Sequence, residues 1–277
     1  MFRKTLLAVS AGLIFSLSGC GGGGSITSNK VKVELPSYLN YKCKAIENPE
    51  RTTFCIKSDD TYESIGKTET DTEIALLNKI LTIFPRRMRE RIVEIEFGSE
   101  DFAEGSAAVS PVDAKKTRWG MWVNTNSVAM SDEKGQMESV AHEIKHYLTL
   151  NNTQEGSDTT ICGSMMGMLG TCPAGSSVYF DFIKQFWEPI YNDKIWPNGD
   201  YNGYYDTHQN DFVTPYAVTD SGEDIAESFS EFIYQDKPTD LSLIKNKKID
   251  YFWQFSEFVA LREEIRRNIG NVLGIQL

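Results

Sequence analysis

The residues best placed to do chemistry stand in one short run, Val140-Ala141-His142-Glu143-Ile144-Lys145-His146. Two histidines four residues apart lie one above the other on a helix, so both imidazoles can reach a single metal ion. The glutamate follows the first histidine and is turned from it by about 100°. That offset suits a proton acceptor beside the metal rather than a ligand on it. The chain holds only three histidines, and two of them are in this run. The chemistry implied is zinc-assisted hydrolysis with Glu143 as general base.

The element that must carry this run is a helix. Met137, Val140, Ala141, Ile144 and Leu148 recur at helical spacing and centre opposite the two histidines. The pattern predicts a helix from about 133 to 150, capped by Ser131 or Asp132 and ended by Asn151 and Asn152. One face enters the core, and the histidine face turns toward a second wall.

Two histidines do not complete a zinc site, because a catalytic site takes a third protein ligand and keeps one position open. The residues after His146, Tyr147 to Asn152, contain neither glycine nor histidine, which excludes the metzincin arrangement. The best supplier is Gly222-Glu223-Asp224-Ile225-Ala226-Glu227-Ser228-Phe229-Ser230-Glu231-Phe232. Glu223 and Glu227 are four apart and share a helix face, with Ile225, Phe229 and Phe232 on the other side. One carboxylate can bind zinc, and the next can hold a ligand or orient a histidine ring. Asp220, Glu223 and Asp224 would also suit the start of any helix, through its dipole. His208 is the competing third ligand.

Tyr216, six intervening residues, and then Glu223-x-x-Ala226-Glu227-x-Phe229 resemble the gluzincin peptidases of the anthrax lethal factor type. The resemblance implies that His142, His146 and Glu223 bind one zinc ion and that Tyr216 steadies an oxyanion. It places Glu227 behind the ligands. Lys248 to Ile265, rich in aromatic residues, resembles the closing helix of that domain. The segment between the two motifs is longer here and contains cysteines, so the target recognition of lethal factor does not carry over. The fold implied is α+β and zincin-like: mainly helical, with a small mixed sheet over the metal helix.

Strands are expected at Ile92–Phe97 and Arg118–Val123. In such a domain the edge strand pairs with an extended peptide, and the stretch from Trp119 to Val123 is taken as that edge. A helix from Asp71 toward Pro85 precedes them. Arg86, Arg87, Arg89 and Arg91 read as a solvated basic face. Phe180–Trp187 and Ile190–Ile195 suggest a long aromatic helix, and 198–206 a turn-rich loop.

The N-terminus reads as a targeting segment. Arg3 and Lys4 precede an apolar run from Leu6 to Leu17, too short to span a bilayer. Leu17-Ser18-Gly19-Cys20 resembles the bacterial lipobox, which implies cleavage after residue 19 and lipidation of Cys20. Residues 20–35 begin with glycines and form a tether with a reach of roughly 20 Å. The implied location is the cell envelope, outside the cytoplasm, with the outer membrane or cell surface favoured by Gly21 after the cysteine. Cys43, Cys55, Cys162 and Cys172 remain, and the simplest pairing is local, Cys43–Cys55 and Cys162–Cys172. Residues 36–66 read as a stapled N-terminal segment and 67–277 as the metallopeptidase domain.

Net charge is −11, which argues against nonspecific nucleic-acid binding. The partners implied are a peptide or protein substrate and, through Cys20, a membrane. The competing reading is a surface-binding lipoprotein on the same scaffold, with little or no catalysis and the aromatic loop 201–216 as its binding surface.

Overall fold

The alternation of Val93, Ile95 and Phe97 with Glu94 and Glu96 builds the central strand of a five-stranded sheet. The computed structural model describes residues 43, 51–98, 107–126, 132–156, 172–190 and 201–277. Its strands are β1 (Thr52–Ile56), β2 (Tyr62–Gly66), β3 (Ile92–Gly98), β4 (Ala107–Pro111) and β5 (Trp119–Asn124), in the spatial order β2-β1-β3-β5-β4. Only β3 and β5 run parallel; the other neighbours are antiparallel. Phe54, Ile95, Phe97, Trp119, Met121 and Val123 are buried in the core. On the opposite face Glu96 takes bonds from Arg51 at 2.5 Å and Thr53 at 3.3 Å.

The edge nearest the histidine helix is β4, not the Trp119–Val123 stretch expected from sequence. The reason is a tight return between β4 and β5. Asp113 accepts bonds from the backbone N–H groups of Lys115 and Thr117, from the Thr117 hydroxyl and from Arg118. That turn folds a short small-residue strand back along β5 and covers it. The Val112 N–H bonds to Arg118 O, which sets the parity of the pair. Ser110 and Ala108 therefore face β5 with their backbone polar groups, while Ala107, Val109 and Pro111 direct theirs outward. Among the described residues β4 has no further strand beside it.

The helices are α1 (Asp71–Ile83), α2 (Glu133–Leu150), α3 (Val178–Phe186), α4 (Tyr201–Thr207), α5 (Ser221–Tyr234), α6 (Ile244–Tyr251) and α7 (Ser256–Leu273). Thr70 and Glu73 form a reciprocal capping box at the start of α1. The basic cluster after α1 is a solvated face only in part: Arg87 is exposed, Arg86 and Arg91 are half-buried, and Arg89 departs from the expectation. Arg89 is buried, donates to the Phe84 and Leu81 carbonyls, and meets both Asp60 oxygens at 2.8 Å. A helix end leaves carbonyls without intrahelical partners, and a guanidinium so placed satisfies them. Arg262 does the same for the end of α5, donating to Phe232 O and Gln235 O.

The aromatic helix is shorter than expected, with Ser177 as its N-cap and Trp187 at its end. The expected continuation, 190–195, lies almost wholly outside the described residues. Part of the expected loop 198–206 is helical, as α4. Cys43 and Cys55 form a disulfide. Cys172 is also disulfide-bonded; its expected partner Cys162, like Cys20 and the tether, lies outside the described residues. β1 and β2, in the stretch read as an N-terminal segment, belong to the same sheet as β3. No helix among the described residues is long and apolar enough to cross a membrane.

Candidate metal centre

Two helices bring the polar groups together. Asp132 caps α2, its carboxylate accepting from the Gly135 N–H at 2.6 Å. Met137, Val140, Ala141 and Ile144 anchor one face of α2 in the core. Asp220 caps α5, accepting from the N–H groups of Gly222 and Glu223 at 2.6 and 3.0 Å. Ile225, Phe229 and Phe232 bury the far face of α5, so Glu223 and Glu227 are left facing α2.

Between them three atoms converge. His142 Nε2 and His146 Nε2 are 2.8 Å apart, and each lies 3.0 Å from Glu223 Oε2. All three side chains are buried. The Nδ1–H of His142 donates to Glu227 Oε1 at 2.6 Å, which leaves a lone pair on Nε2 pointing into the triangle. Two imidazole lone pairs and a carboxylate oxygen, buried and in mutual contact, repel one another unless a cation lies between them. The neutralising demand is visible in the proton affinities. Burial works against charging His142, yet its bonds to Glu223 and Glu227 outweigh burial and push its pKa up to about 10. Burial would raise Glu223, but His142 and His146 hold its carboxyl well below the ordinary range. These three groups fit a metal ion. Tetrahedral zinc with bonds of about 2.0–2.1 Å sets ligand atoms about 3.4 Å apart, so the triangle needs to spread by only a few tenths of an ångström.

Glu143 is buried beside this triangle, and burial raises its pKa. The edge strand β4 packs against the helix that carries it. Tyr216 lies over the site with its ring centre 5.9 Å from that of His142, and burial and the nearby Glu223 carboxylate both push its hydroxyl pKa up. It is 52% exposed, the most open large side chain at the centre. His208 is elsewhere: its ring stacks on Tyr204 at 3.9 Å, and its Nδ1 lies 3.0 Å from Tyr204 O.

Several neighbours have no signal in the sequence. Burial would raise the Glu227 carboxyl, but Thr214, with His142, holds it below its ordinary range. Asp224, expected only as a charge at a helix start, is fully buried; it pairs with Lys248 at 2.7 Å and accepts from Trp187 Nε1 at 2.8 Å. Lys145, within the histidine motif itself, points away from the metal triangle. Its ammonium is fully buried, has no hydrogen-bond partner, and lies 4.3–4.9 Å from the ring centres of Phe229, Phe252 and Phe258. Helical spacing put Phe229 opposite Glu223, but nothing local indicated that it would meet a lysine from the neighbouring helix.

No family model and no curated protein matches the chain. Among solved structures it is similar to a proposed zinc-binding metallo-peptidase from Bacteroides caccae, with 14% identity and a TM-score of 0.40 over 76% of this chain and 84% of that one.

Proposed function

We propose that the chain is an exported, lipid-anchored, zinc-dependent endopeptidase. The observation that carries this reading is the convergence of His142 Nε2, His146 Nε2 and Glu223 Oε2 within 3.0 Å of one another, with a buried carboxylate beside them. Three protein ligands with one position left over are the mark of a catalytic rather than a structural zinc site. Zinc, when bound, acidifies water and polarises a carbonyl.

The chain's own residues supply the rest. Glu143 accepts a proton from the attacking water at one carboxylate oxygen and later delivers it to the leaving amine nitrogen. Burial raises its proton affinity, which suits a carboxylate that must hold a proton between the two transfers. The Tyr216 hydroxyl donates to the oxyanion that develops on the scissile carbonyl, a contribution of about 3–4 kcal/mol for a well-placed donor. Glu227 fixes the tautomer of His142, so that Nε2 keeps its lone pair. The edge strand β4 lies against α2 and offers an extended substrate its outward backbone groups.

Cys20 and the residues 20–35 are read as a lipid anchor and tether, which hold the catalytic unit at the envelope surface. The experiment that tests the reading uses the soluble form from about residue 26. Bound zinc is measured, and a diverse peptide mixture is offered with and without chelator. Stoichiometric zinc and chelator-sensitive cleavage are expected. Bound zinc without cleavage would favour the non-catalytic binding lipoprotein.

A further inference from the structure

We infer that Asp224 is a positioning residue that aims its neighbour Glu223 at the two histidines. This rests on Glu223 as the third ligand and is independent of turnover. Successive residues on a helix diverge by about 100°, so Glu223 can face α2 while Asp224 reaches other elements. Asp224 Oδ2 accepts from Trp187 Nε1, at the end of α3, at 2.8 Å and lies 2.7 Å from Lys248 Nζ on α6. All three side chains are buried. One residue in the first turns of α5 is thereby tied to two other helices.

Stability alone is a poor account of this arrangement. Both partners crowd one oxygen, while Asp224 Oδ1 has no hydrogen-bond partner. Buried charges are costly to desolvate, and a well-packed apolar pair in their place is often as stable or more so. What the arrangement supplies is direction. Ile225, Phe229 and Phe232 hold α5 by apolar contact, which is non-directional, whereas a hydrogen bond from a buried indole is not. A side-chain tip lies about 5–6 Å from the helix axis, so turning α5 by about 20° would move Glu223 Oε2 by about 2 Å. A metal–ligand bond tolerates only about 0.2 Å. The meeting of Glu223 Oε2 with both histidines at 3.0 Å therefore needs the azimuth of α5 fixed, and Asp224 fixes it.

The test compares two double variants of the full chain that both lack the ion pair. Asp224→Leu with Lys248→Met also lacks an acceptor for Trp187, whereas Asp224→Asn with Lys248→Met keeps one in the amide carbonyl. Zinc affinity is measured on the folded proteins by competition with a chromophoric chelator, and stability by urea melts without metal. The leucine variant should bind zinc at least about tenfold more weakly than the parent. The asparagine variant should stay within about threefold of it. With cobalt in place of zinc, the visible absorption bands should change in the leucine variant and match the parent in the asparagine variant. A purely structural pair would move the melts and leave the affinity of the folded protein unchanged. If the leucine variant does not fold, Trp187→Phe, which removes the indole donor and leaves the ion pair, should weaken zinc binding at least threefold. Parent-like affinity in the leucine variant, or in Trp187→Phe where that is the one measured, overturns the inference, as does equal loss in the two double variants. A parent that binds zinc but cleaves nothing overturns the peptidase reading alone, and one that binds no zinc overturns both.

Discussion

His142 Nδ1 lies 2.6 Å from Glu227 Oε1, on the side of the ring away from His146 and Glu223. A residue one helical turn after the candidate ligand thus decides which nitrogen of His142 is protonated. Glu227→Ala should keep a stoichiometric metal at purification but weaken zinc affinity about 10–100-fold, as loss of such a partner typically does. Competition against a chromophoric chelator measures this.

The ligand and the base separate cleanly by variant. Glu223→Ala should yield protein that retains little or no zinc by elemental analysis. Glu143→Gln should bind zinc like the parent and lose about 10²–10⁴ in kcat. Normal cleavage by Glu143→Gln would mean that another group takes the proton.

Tyr216 is not among the three converging ligands, so Tyr216→Phe should leave zinc content unchanged. Its kcat should fall about 10²–10³-fold if the hydroxyl reaches the developing oxyanion. A change confined to KM would place the ring in substrate binding instead.

Lys145 makes the stability of the fold depend on pH. Burial depresses its pKa to about 7. In the unfolded chain a lysine stays protonated up to about 10.4. Between those values the unfolded state holds more protons, so stability rises with pH. The penalty is complete below about pH 7 and fades as the pH approaches the unfolded value. Lys145→Met, which fills similar volume without the amine, should raise stability by a few kcal/mol at pH 6–7, on the order expected from the size of the shift. Urea melts at pH 6 and pH 9.5, on parent and variant in the same metal state, should show the gain shrinking at the higher pH.

The buried pair Asp224–Lys248 should behave in the opposite way. Asp224→Ala strands a lysine that is almost fully enclosed beneath the Phe212 ring, 3.8 Å from its centre. Removing one partner of such a pair costs about 3–5 kcal/mol. Because Asp224 is adjacent to Glu223, the variant should also bind zinc more weakly in the same chelator competition.

What the sequence makes legible here is local. The α2 helix runs from Glu133 behind an Asp132 cap, as its periodicity predicts, because caps and 3.6-residue spacing are written within a few residues of where they act. The shared face of Glu223 and Glu227 follows from the same geometry. What stayed hidden depends on partners far away in the chain. The identity of the edge strand turned on a return organised by Asp113. The burial of Arg89 turned on Asp60 and the end of α1, and the setting of Lys145 on three rings from two later segments. A single charged residue in a sequence does not say whether a neighbour will arrive to enclose it.

The proline on the edge strand β4 has one more consequence, for how copies of this protein behave when crowded. An exposed edge strand invites another strand to pair with it, and such pairing is a common route to aggregation. On β4 the ladder a newcomer would need is interrupted at Pro111, which has no N–H. An edge so interrupted is a poor template for another copy of itself. If the chain is tethered densely on a surface, that guards it against strand-to-strand polymerisation.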